Sequence, residues 1–73
     1  MKLYGYAIGD RTLHKMQEVT IQADAKRIRS LAMFLNQTAD LMEKHGDKFN
    51  HEHYSDNVND LPEDTDIDVI VAR

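Results

Sequence analysis

Hydrophobic and polar residues change their period along this chain, and the changes divide it into elements. Between residues 13 and 22, apolar Val19 and Ile21 alternate with Glu18, Thr20 and Gln22. A period of two predicts a strand with one wet face. Residues 2–9 are rich in aromatic and β-branched types and end at Gly9-Asp10, which predicts a strand followed by a turn. The short link Gly9-Asp10-Arg11-Thr12 makes the pair a hairpin over residues 2–22. From Ala25 the spacing becomes three and four. Ile28, Leu31, Ala32, Leu35, Ala39 and Met42 form one apolar stripe, widened on one side by Phe34 and Leu41. Asp24 stands where an N-cap belongs, Lys44 and His45 occupy the last turn, and Gly46 follows. These signals predict a helix over about residues 25–45.

Residues 47–65 hold few apolar anchors and the single proline, Pro62, and read as a long polar, acidic loop. Loops of such length in small domains tend to be functional. Residues 66–72 read as a last strand, with Ile67, Val69 and Val71 on one side and Ile70 on the other. The order strand, strand, helix, strand favours a right-handed crossover. The expected fold is therefore α+β (β-β-α-β) in one domain, 1–73. It has a three-stranded, mainly antiparallel sheet with the first strand central and the long amphipathic helix packed on one face. The helix would contact Val19, Ile21, Ile67, Val69 and Val71 with Leu3 and Ala7. Tyr4, Tyr6, Ile8, Met16 and Ile70 would then face away as an apolar patch. Such a patch marks an interface with a protein partner or a second copy, unless residues 47–58 fold back over it.

Length and composition sharpen the picture. A 73-residue chain builds a marginal core and often needs a staple. With no cysteine, disulfides and thiolate metal sites are excluded. A His/carboxylate metal, a dimer interface or a well-packed small core remain, in a setting that is reducing. No apolar run approaches the roughly 18 residues of a membrane span, and no signal-peptide pattern opens the chain. A cytoplasmic protein without a membrane partner is expected. The net charge of −4 is unevenly placed. From Asp47 to Asp68 eight acids face one base, Lys48, for a local charge of −7, whereas residues 1–46 carry +2. Such a C-terminal third repels nucleic acid and attracts a basic partner or a cation. The bases Lys26, Arg27 and Arg29 at the helix start read as a solvated face.

The densest chemistry lies in Phe49-Asn50-His51-Glu52-His53-Tyr54-Ser55-Asp56. On an extended backbone His51 and His53 share a face. Two imidazoles so placed chelate a cation if Asp56, or His14 or His45, completes the set. The competing roles are pinning the loop by hydrogen bonds, with Asp56 and Glu52 as partners, and direct contact with a partner. Catalysis is disfavoured and no catalytic residue is assigned. Ser30 lies inside the helix off the core stripe, Ser55 lacks a glycine turn, and no phosphate-binding glycine loop is present. No cofactor is implied.

The hairpin, the helix Ala25–His45, the segment Phe49-x-His51-Glu52-His53-x-x-Asp56 and the closing Asp66-Ile67-Asp68-Val69-Ile70-Val71 together resemble small bacterial immunity proteins of polymorphic toxin systems, of the immunity protein 32 type. The resemblance runs over nearly the whole chain on a short motif. It implies a non-enzymatic cytoplasmic protein that neutralises a cognate toxin by binding it, with His51, Glu52, His53 and Asp56 as signature positions. The acidic third fits a basic toxin. The expected partner-binding residues are thus His51, Glu52, His53 and Asp56, with Asp60, Glu63 and Asp64 as an acidic rim. The rivals are a small metal-binding domain using His51, His53 and Asp56, and a homodimer through the Tyr4, Tyr6, Ile8, Met16 and Ile70 face.

Overall fold

A computed structural model describes residues 1–58 and 67–73. Among the described residues four short strands flank one helix: β1 (Leu3–Gly5), β2 (His14–Met16), α1 (Ala25–His45), β3 (His51–His53) and β4 (Ile70–Ala72). A 3-10 turn follows the helix at Gly46–Lys48 and another follows β3 at Tyr54–Asp56.

The helix starts and stops where its sequence signals lie. The Asp24 carboxylate accepts the Arg27 N–H at 2.8 Å, satisfying one of the donors a helix start leaves free. At the other end Gly46 takes φ +53° and donates its N–H to the Met42 carbonyl. That backbone region strains any residue with a Cβ. The terminal carbonyl of Gly46 accepts from the Arg73 guanidinium at 2.9 Å, and the same guanidinium pairs with Asp47. A cation is thereby held at the negative end of the helix dipole.

The sheet differs from the expected one. Among the described residues there is no three-stranded sheet: β1 pairs with β2 and β3 with β4, as two separate antiparallel pairs. The last strand crosses no helix to lie beside β1. It pairs instead with a strand from the region read as loop, in the register His51↔Ala72, Glu52↔Val71, His53↔Ile70. Two further backbone bonds lengthen that ladder, from Tyr54 N–H to Val69 O and from Arg73 N–H to Asn50 O. The hairpin is also shorter than expected. Its turn closes through Asp10 N–H to Ala7 O at 2.9 Å, with Gly9 at φ +81°. Its second strand ends at Met16, and Val19 and Ile21, strand-like in pattern, are exposed. A three-residue β1 offers no backbone partner beyond that point, so the alternation has nothing to pair with.

The helix is also turned relative to expectation. Its buried residues are Phe34 and Thr38, at 3% and 2% exposure. Arg27, Ser30, Leu31, Leu41 and Met42 are half-buried around them. Ile28, Ala32, Leu35 and Ala39, which belong to the predicted stripe, are exposed. At 100° per residue the buried face is rotated by about 90° from that stripe. What turns it is the segment after the helix: Phe49 and Tyr54 are the other two buried residues among those described. The Tyr54 ring lies 5.4 Å from the Phe34 ring, tilted by 58°, a favoured aromatic geometry. Its hydroxyl donates to Ser30 Oγ at 2.8 Å. Ser30 is therefore part of the packed face, not outside it. Expected helix contacts Ala7, Val19, Ile21 and Ile67 are all exposed, whereas Leu3, Val69 and Val71 are half-buried.

Removing the Phe34 ring empties the centre of this core. Phe34→Ala should cost about 3–5 kcal/mol, comparable with the whole stability of about 4–11 kcal/mol expected for a chain of this length. Thermal and urea unfolding followed by circular dichroism will show it. Ala32→Ser, on the stripe expected to be buried, should change stability by less than about 0.5 kcal/mol. The opposite ranking would contradict the observed helix orientation.

Candidate functional site

The histidine segment is extended, as chelation or a shared face would require. His51 and His53 lie two residues apart on β3, and their rings meet edge to face with centroids 5.1 Å apart. His51 is exposed and His53 half-buried. What organises the segment is Asp68, just before β4, a residue the sequence reading counted only as one acid among many. Its Oδ2 accepts from His53 Nδ1 at 2.7 Å and from Ser55 Oγ at 3.0 Å. Its Oδ1 accepts the backbone N–H groups of Ser55 and Val69, each at 2.9 Å. Four donors thus converge on one carboxylate.

That convergence fixes protonation chemistry. An ionised carboxylate only accepts, so His53 Nδ1 is the donor in this pair. Partial burial of Asp68 disfavours its charge, but the bonds from His53, from Ser55 N–H and hydroxyl, and from Val69 N–H outweigh it. Together they hold the carboxyl below its ordinary 3.8. A second bond set fixes the far side of β3: Asn57 Nδ2 donates to the His53 carbonyl at 2.8 Å and to Glu52 Oε2 at 3.3 Å. Glu52 is half-buried, and its carboxylate serves the turn after the strand.

The structure brings together His51, Glu52 and His53, and joins them to Ser55, Asn57 and Asp68. Asp56 does not enter this network: it is exposed, and among the described residues nothing hydrogen-bonds its side chain. Asp60, Glu63 and Asp64 lie outside the described residues. His14 belongs to the hairpin, where its Nε2 bonds Asp10 at 2.8 Å and lowers the pKa of that exposed acid. Among the described residues no group of three or more His, Asp or Glu is placed to hold a metal ion. Of the metal set, then, the structure assembles only the two imidazoles. Tyr4, Tyr6, Ile8, Met16 and Ile70 are all exposed, and residues 47–58 do not cover them.

Ser55, His53 and Asp68 hold the residue types of a nucleophilic triad in the wrong order. A nucleophile needs the imidazole between hydroxyl and carboxylate; here the carboxylate lies between the other two. Asp68, held below its ordinary pKa, is a poor base for the Ser55 hydroxyl. The arrangement pins backbone. Sequence reasoning missed Asp68 because its partners, His53 and Ser55, are 15 and 13 residues away. The one local sign was an acid directly before an apolar strand.

No known protein-family model matches the chain, and no curated protein and no solved structure shows significant similarity to it.

Asp68→Asn keeps an oxygen for the two backbone N–H groups but replaces the acceptor of His53 Nδ1–H with a donor. For a partly exposed site this should cost about 1–2 kcal/mol at pH 7. Because the folded-state pKa is depressed, the carboxylate's contribution is fully present above the ordinary value. It is lost as the pH falls through the lower folded-state value. The stability gap between the native chain and Asp68→Asn in urea unfolding should therefore close as the pH drops below about 4. A gap independent of pH would show that the charge on Asp68 contributes nothing.

Proposed function

We propose that this chain is a non-enzymatic protein-binding module that neutralises a cognate basic toxin by stoichiometric binding in the cytoplasm, as the immunity-type resemblance implies. The observation that carries the reading is the Asp68 network. It fixes β3 and β4 in one register while the His51 ring and the Asp56 carboxylate stay exposed. A polar surface set in place before contact costs little ordering on binding. The local charge of −7 over residues 47–68 supports a basic partner, since opposite potentials steer encounter and reject like-charged proteins.

The partner contact is assigned to His51, Glu52, His53 and Asp56, continued by Asp60, Glu63 and Asp64. Asp68, Ser55 and Asn57 are supports that position these residues. Among the described residues no helix is long and apolar enough to cross a membrane.

The test is affinity capture from the native host on the immobilised chain, followed by titration of the recovered protein. A basic protein bound one to one is expected. Its affinity should fall at least about tenfold with Asp56→Lys, and also on raising the salt from about 50 to about 500 mM. Recovery of no stoichiometric partner, or of one indifferent to both changes, contradicts the proposal.

A further inference from the structure

Two imidazoles stand together on one face of β3. His51 and His53 are two residues apart, and their rings meet with centroids 5.1 Å apart and planes crossing at 71°. Side chains at that spacing on a strand point the same way. Their cross-strand neighbours on β4, Ala72 and Ile70, bring no charge to that face.

The separation of the rings is that of two ligands on one tetrahedral ion. Imidazole nitrogens about 2.0–2.1 Å from such an ion place the two ring centres about 5.2 Å apart. Ligands at a right angle, as in square-planar coordination, bring the ring centres to about 4.5 Å.

Asp68 supplies what a ligating histidine needs behind it. Its Oδ2 takes the His53 Nδ1–H at 2.7 Å, so Nε2 is the nitrogen left to ligate. A carboxylate on the far nitrogen fixes the ring and raises its basicity, as it does behind metal-binding histidines in general. The same carboxylate is anchored by the backbone N–H groups of Ser55 and Val69, so the ring it holds is set in place before any ion arrives. His51 is exposed, and its ring can turn a nitrogen towards His53 Nε2 without disturbing the core. The charge of −7 over residues 47–68 raises the local concentration of cations.

We propose that His51 and His53 form a two-imidazole site for a zinc ion, with Asp68 as the positioning residue behind His53. Among the described residues no third His, Asp or Glu joins them, so water fills the other positions of the tetrahedron and the site is an open one. The inference goes beyond the partner-binding reading and is tested without a partner.

Calorimetric titration of the purified, untagged full chain with zinc chloride tests it. One zinc ion per chain is expected. His51→Ala should weaken binding at least about tenfold, and Asp68→Asn by about 10–100-fold. His51 is exposed, so its removal tests the site with the fold intact. In the imidazole 15N spectrum of the native chain, zinc should shift His51 and the Nε2 of His53 and leave His14 and His45 in place. No zinc uptake at about 1 mM overturns the proposal. Uptake that survives His51→Ala, or that shifts His14 or His45 instead, overturns it as well. Uptake that Asp68→Asn leaves at full strength removes the carboxylate's part.

Discussion

Tyr54 joins the helix of this protein to its second strand pair through both ring and backbone. Its ring packs on Phe34 of the helix, its hydroxyl reaches Ser30 one turn earlier, and its N–H donates to the Val69 carbonyl beside β4. One side chain and its backbone therefore connect the helix, the end of β3 and the start of β4. The helix orientation follows, because burying the Tyr54 ring requires Phe34 and Thr38 to face it. The pairing of β3 with β4 follows as well, because the ladder begins at the Tyr54 amide. A buried tyrosine whose hydroxyl is satisfied supplies aromatic area without an unpaired polar group.

Asp68 does for the polar side what Tyr54 does for the apolar side. Strands β3 and β4 are three residues each, too short for backbone bonds alone to fix their register. The carboxylate binds one side chain of β3, one residue of the turn beyond it, and the backbone next to β4. Ser55 and one ring nitrogen of His53 are thus spent on holding the backbone, and the nucleophilic chemistry suggested by their types is absorbed by structure. What remains to act outward is the charge of the segment, the exposed His51 and Asp56, and the second ring nitrogen of His53.

Local signals were legible in the sequence where they were sufficient by themselves. Asp24, the three-and-four spacing and Gly46 place the helix to the residue, since capping and periodicity are set within a few positions. The turn at Gly9 was legible for the same reason. The helix orientation was not, because the sequence has two adjacent apolar stripes. The choice between them is made by Tyr54, which is distant in sequence. Strand β3 was hidden because His-Glu-His has no apolar alternation; its strand character comes from Asp68 and Asn57. With β3 unseen, the last strand had only β1 to pair with, and the three-stranded sheet followed from that omission. In the candidate site, His51, Glu52 and His53 were found by residue type, whereas Asp68 required the fold.

The central claim is that Tyr54 and the β3–β4 pair, and not a third strand beside β1, build the core. Nuclear Overhauser contacts in the isotope-labelled chain measure this directly. The account predicts cross-strand contacts between Glu52 and Val71 and between His51 and Ala72, together with contacts from the Tyr54 ring to Phe34 and Ser30. Contacts from residues 70–72 to residues 3–5, with Tyr54 remote from Phe34, would contradict it.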